Sequence, residues 1–76
     1  MNIVMYTKTN CPNCTTAKRL LDDKGIGYNE YDIEKSPEFQ RQLADIGVRQ
    51  MPQIWIEGQR VGGLAGLQQA LKELGL

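Results

Sequence analysis

Histidine is absent from the 76-residue chain, and cysteine occurs only twice. The missing imidazole removes Ser-His and Cys-His nucleophile pairs and His-ligated metals. No excess of either charge exists: nine Lys and Arg balance nine Asp and Glu, for a formal net charge of zero. That balance leaves no long-range attraction to nucleic acid or to anionic lipid, so neither is expected as a partner. Long apolar runs are missing too. The one near the start, Ile3 to Tyr6, is far too short for a signal-peptide core or a membrane span. With no export signal visible, the expected location is a reducing cytoplasm. Length sets the last limit, because a chain this short buries only roughly 60% of its unfolded surface. One domain over residues 1–76, acting as a monomer, is the expectation.

Small secreted domains offset a thin core with several disulfides. Here the two cysteines, Cys11 and Cys14, sit three positions apart. So small a ring removes little entropy from the unfolded chain and is a poor staple. The pair calls for a chemical explanation.

Strand and helix signals alternate, with no linker, repeat or low-complexity segment. Ile3-Val4-Met5-Tyr6 reads as a central strand covered on both faces. Pro12 suits the first position of a helix. Cys14, Ala17, Leu20 and Leu21 recur at helical spacing, and Lys24-Gly25 ends that helix. Tyr28 to Ile33 reads as a second strand, with Tyr31 and Ile33 on one face and Tyr28 on the other. Ser36-Pro37-Glu38 predicts a helix start capped by the Ser36 hydroxyl. Phe39, Leu43 and Ile46 then form one buried stripe that Gly47 closes. Gln53-Ile54-Trp55-Ile56 and Gln59-Arg60-Val61 flank Glu57-Gly58 as a hairpin. Leu64, Leu67, Ala70, Leu71 and Leu74 mark a last amphipathic helix. The expected order is β-α-β-α-β-β-α, in an α/β fold of three layers with one mixed four-stranded sheet.

Cys11-Pro12-Asn13-Cys14 falls at the junction of the first strand and first helix. Residues at i and i+3 of a helix start share a face and lie within disulfide reach. Cys11 at the helix N-terminus would have its thiolate stabilised by unpaired N–H groups and the dipole. Lys8 could add positive potential. Cys14, on the stripe of Ala17 and Leu21, should be more buried. The asymmetry makes Cys11 the attacking thiol and Cys14 the resolving one. Half of a zinc site is the bland reading, but no further Cys or His exists, so only a dimer could supply four thiolates.

Three ordered stretches resemble the glutaredoxins, within the thioredoxin fold: Tyr6-Thr7-Lys8-Thr9-Asn10-Cys11-Pro12-Asn13-Cys14, Met51-Pro52-Gln53-Ile54-Trp55-Ile56-Glu57-Gly58 and Val61-Gly62-Gly63. The resemblance implies a dithiol oxidoreductase that reduces protein disulfides or glutathione mixed disulfides, with Cys11 and Cys14 catalytic. It implies glutathione as reductant and co-substrate, and no metal. It further implies a cis-proline at Pro52 that turns the Met51 backbone outward. Glutathione contacts would come from Lys8, Asn13, Met51, Pro52, Gly62, Gly63 and Leu64. Ribonucleotide reductase is a protein substrate of the kind such chains serve.

Departures from the pattern are specific. Asn13 stands where an aromatic residue is usual between the cysteines, and Gln50-Met51 where Thr-Val commonly precedes the proline. Leu64-Ala65-Gly66 follows the glycines where an acidic side chain usually holds the γ-glutamyl end of glutathione. Arg49-Gln50-Met51-Pro52 also resembles the glutaredoxin-like hydrogen donors of ribonucleotide reductase, which draw electrons from thioredoxin reductase. From another class, a dimer could hold zinc or an iron–sulfur cluster through two Cys11 thiolates. Trp55 and Tyr6 read as core, and Arg41, Lys72 and Asp22-Asp23-Lys24 as solvated surface.

Overall fold

The computed structural model describes residues 1–76. Strand β1 (Ile3–Thr7) leads through a short loop to helix α1 (Pro12–Asp23), then strand β2 (Asn29–Asp32). A single 3-10 turn (Ile33–Lys35) precedes helix α2 (Pro37–Asp45). The hairpin of β3 (Gln53–Ile56) and β4 (Gln59–Gly62) and the final helix α3 (Leu64–Glu73) complete the chain. The sheet order is β2-β1-β3-β4. Strand β1 runs parallel to β2 and antiparallel to β3, and β3 and β4 are antiparallel. This is the expected mixed sheet, and its first βαβ crossover is a helix, as parallel neighbours require.

Alternation along the strands sorts the core into two layers. Ile3 and Met5 of β1 and Ile54 and Ile56 of β3 pack with Ala17 and Leu21 of α1 and with Leu67 and Leu71 of α3. Their neighbours Tyr6 and Trp55 turn to the other face, toward Leu43 of α2 and Val48. Tyr28 joins the first layer and Ile33 the second, which matches the expected division. Tyr6 lies at the centre of the second layer, with ring centroids 5.4 Å from both Phe39 and Trp55 in edge-to-face contact.

Four local expectations fail. Strand β2 is shorter than Tyr28–Ile33, because Asp32 Oδ1 accepts the Glu34 N–H at 2.9 Å and starts the 3-10 turn there. Ser36 occupies the N-cap of α2, but its hydroxyl makes no capping bond. Its carbonyl instead accepts from the Phe39 and Gln40 N–H groups. Ile46 is 56% exposed, and Val48 fills the place predicted for it. The helix ends at Asp45, and Gly47, with φ +76°, reverses the chain so that Val48 folds back onto Leu43. Leu74 is likewise exposed, lying past the end of α3.

The hairpin turn resolves cleanly. Glu57 and Gly58 have φ of +51° and +79°, the pair of left-handed residues a type I′ turn demands. The Glu57 carboxylate and N–H both bond to Asn2, tying the turn to the chain start.

Candidate active site

The loop after β1 delivers Cys11 to the N-cap of α1. Asn10 takes a left-handed conformation, which asparagine tolerates, and Cys11 is extended at φ −114°, ψ 99°, as N-caps are. Pro12 then opens the helix without forfeiting a hydrogen bond. Cys11 Sγ accepts the Cys14 N–H at 3.1 Å, so sulfur performs the capping normally done by an oxygen. Cys11 and Cys14 are joined as a disulfide with Cα atoms 5.2 Å apart. Cys11 is 8% exposed and Cys14 is 2% exposed, so the more accessible sulfur is the one at the helix terminus.

Across from the disulfide, the Met51–Pro52 peptide is cis. It places the Met51 carbonyl oxygen 3.5 Å from Cys11 Sγ. The Met51 N–H donates to no backbone or side-chain acceptor within the chain. Gly63, the N-cap of α3, packs so closely that a Cβ there would lie 3.4 Å from the Pro52 carbonyl oxygen.

Two grooves flank this centre. One, of about 280 Å³, gathers Asn13 of α1, Met51 and Pro52 of the cis loop, and Gly63 and Leu64 at the start of α3. Five of the residues expected to contact glutathione therefore converge. The other two do not join them. Lys8 lines a larger groove of about 590 Å³ on the β2 side of the disulfide, and Gly62 lines neither.

Sequence reasoning missed two polar residues here. Glu30, in the Lys8 groove, accepts from the Thr7 hydroxyl at 2.8 Å and from the Lys18 ammonium at 3.0 Å. Burial alone would push its carboxyl up, but those two hydrogen bonds and the Lys18 charge together hold it below its ordinary 4.5. Lys18–Glu30 is the chain's one ion pair, so the Lys8 charge beside the disulfide is uncommitted. Glu30 shares a strand face with Tyr28 by the period of two, which is the signal that could have placed it. Gln53, 5% exposed, is the second. No three His, Cys, Asp or Glu side chains converge as a metal site needs.

The glutaredoxin family model matches residues 3–61, which include the disulfide, the cis-proline and all of the hairpin but its last residue. The chain belongs to the glutaredoxin family. A glutaredoxin of Neisseria meningitidis serogroup A is 41% identical over 76 residues, covering 97% of this chain and 89% of its own length. The solution structure of a glutaredoxin from Brucella melitensis superposes with a TM-score of 0.77 at 37% identity, over 99% of this chain and 82% of that one. The glutaredoxin-like protein NrdH-redoxin from Escherichia coli superposes with a TM-score of 0.81 over 91% of this chain and 93% of that one. At 24% identity that last likeness shows the shared fold.

Membership and a cysteine pair at disulfide distance together make this glutaredoxin a dithiol thiol–disulfide oxidoreductase. Its departures from the family pattern can now be placed. Asn13 forms one wall of the smaller groove in place of a ring. The first turn of α3 carries no acid. Gly66, in that turn, lies against the β4 backbone, where any Cβ would overlap the Val61 carbonyl oxygen.

Proposed function

We propose that this glutaredoxin reduces protein disulfides and glutathione mixed disulfides by attack of Cys11, resolved by Cys14, with glutathione as reductant. The observation that carries the reading is the Cys11 sulfur at the α1 N-cap, which accepts the Cys14 N–H at 3.1 Å and is the more exposed of the pair. Helix N–H groups and the dipole favour the thiolate, the species that attacks. Cys11 S⁻ attacks one sulfur of the substrate disulfide, forms a mixed disulfide and expels the other sulfur as thiolate. Cys14 S⁻ then attacks Cys11 Sγ, closes the Cys11–Cys14 bond and frees the second substrate thiol. Two electrons have passed to the substrate. Two glutathione molecules return them by the reverse exchange and leave as glutathione disulfide, and the two thiol protons they give up balance the two that the substrate thiols take up.

Glutathione would lie in the smaller groove. The free Met51 N–H offers a backbone partner, and the N–H groups opening α3 offer a carboxylate site. Lys8, from the opposite groove, would contribute long-range positive potential. A compartment holding reduced glutathione, such as a reducing cytoplasm, suits this chemistry, and a disulfide-forming enzyme such as ribonucleotide reductase is a fitting protein substrate. The test is the Cys14→Ser variant, which should accumulate a mixed disulfide at Cys11, read as added mass on incubation with a disulfide peptide. No adduct, or an adduct at another residue, would sink the mechanism.

A second reading has its own observation. With no acid in the first turn of α3 and Gly66 pressed on Val61, the glutathione amino end has one anchor fewer. That favours a hydrogen donor reduced directly by thioredoxin reductase. Reduction of the oxidised protein by glutathione with glutathione reductase, run beside reduction by thioredoxin reductase, separates the two.

A further inference from the structure

Residues Arg49 to Pro52, which carry the Met51 peptide past the disulfide, enter no backbone–backbone hydrogen bond. Their orientation must come from elsewhere. Met51 belongs to one buried cluster with Cys11, Cys14, Leu43 and Val48. The other restraint is a side chain. Gln53, in β3 and 5% exposed, donates from Nε2 to the Gln50 carbonyl at 2.8 Å. Its Oε1 accepts from Arg60 Nε of β4 at 3.1 Å. The two partners fix which way the amide points, since a carbonyl can only accept and a guanidinium can only donate.

We propose that Gln53 is a positioning residue: anchored by Arg60, its amide fixes the Gln50 carbonyl and so holds the Met51 peptide in the orientation that receives substrate. This rests on the reading that substrate docks beside Met51. A buried amide in a β-strand has cheaper uses than reaching back to a loop three residues away, because apolar residues fill such positions at less desolvation cost. Here both ends of the amide are satisfied, and no buried side-chain polar atom of the chain lacks a partner. The Gln50 carbonyl is thus occupied internally, while the N–H of Met51, which lines the smaller groove, has no acceptor within the chain. Without Gln53 the Gln50–Met51 peptide would have to be ordered at each docking event, and that entropy cost weakens binding. The exchange step itself, at Cys11, would be unaffected once substrate is seated.

The experiment is single-turnover reduction of a fluorogenic glutathionylated peptide by the pre-reduced protein, which needs no reductase. Gln53→Leu should raise the half-saturating peptide concentration about three- to tenfold, as for one lost internal hydrogen bond. The limiting rate and the rate of Cys11 alkylation should stay within about twofold. Arg60→Met, at an exposed position of β4, should shift half-saturation in the same direction and serves alone if Gln53→Leu does not fold. The double variant should match Gln53→Leu, because the two act on one relay. Unchanged half-saturation in a folded variant overturns the proposal, as does a limiting rate that falls with it. If the wild-type protein leaves the peptide intact, the docking reading fails first and this proposal with it.

Discussion

The Met51 carbonyl oxygen lies 3.5 Å from Cys11 Sγ, though 40 residues of chain separate them. The group shown to approach Cys11 Sγ from this side is a backbone carbonyl, so on the proposed mechanism the identity of the Met51 side chain should matter little to the chemistry. Met51→Val is expected to keep the disulfide-reduction rate within about threefold. The lost volume beside Cys14 should still cost about 1–2 kcal/mol of stability, read by urea denaturation. A rate loss of tenfold or more with intact folding would show that the side chain itself contacts substrate.

The two sulfurs differ in access and in surroundings. Limited iodoacetamide treatment of the reduced protein should therefore give a singly labelled species carrying the label at Cys11, located by peptide mass spectrometry. Equal labelling of Cys14, which is 2% exposed, would contradict the buried packing described.

Gly66 and Gly27 offer a matched pair of substitutions. A Cβ at Gly66 would overlap the Val61 carbonyl, a backbone atom that cannot swing aside. Gly66→Ala should cost about 1–3 kcal/mol, as overpacking does. In a domain of this size that lowers Tm by at least about 4 °C. Gly27 meets nothing within 4 Å and needs no left-handed conformation. Gly27→Ala should leave Tm unchanged or raise it slightly, because it removes freedom from the unfolded chain.

Glu30 supplies a pH test whose sign is fixed. Its carboxyl titrates below the ordinary 4.5 in the folded protein. Between the folded and unfolded values the unfolded chain binds more protons, so this group's stabilisation is complete above about pH 5 and is lost as pH falls through the folded value. Denaturation midpoints of the wild type should fall more steeply than those of Glu30→Gln on acidification from pH 5. At neutral pH the variant should be the less stable of the two, having lost its ion pair with Lys18. Parallel acid limbs would refute the assignment.

Much of this architecture was legible from local signals. Ile3 to Tyr6, Glu57-Gly58 and the Leu67 and Leu71 stripe each carry their own period or turn chemistry, and the element order follows from them. The strand–helix placement of Cys11 and Cys14 was equally local, since Pro12 marks the helix start. Ile46 was misplaced because periodicity runs on where the chain does not: Gly47 turns it and Val48 takes the buried seat. Glu30 and Gln53 were invisible for a different reason. Their importance comes from partners on other elements (Thr7 and Lys18 for the first, Gln50 and Arg60 for the second), and pairing across a sheet is written nowhere in the residue's own neighbourhood. Lys8 shows the same limit. Three positions from Cys11 in sequence, it faces the groove opposite Asn13 and Gly63.

The capping bond from the Cys14 N–H to Cys11 Sγ bears on heredity as well as chemistry. Serine at position 11 would offer an oxygen in place of the sulfur, and serine is among the preferred N-cap residues. On the proposed mechanism such an allele would encode a folded but inert protein with both grooves intact. It would compete for partners it cannot reduce, and so act as a dominant inhibitor. Alanine at the same position would forfeit the cap, about 1 kcal/mol of helix stability, and would behave as a simple loss of gene dosage.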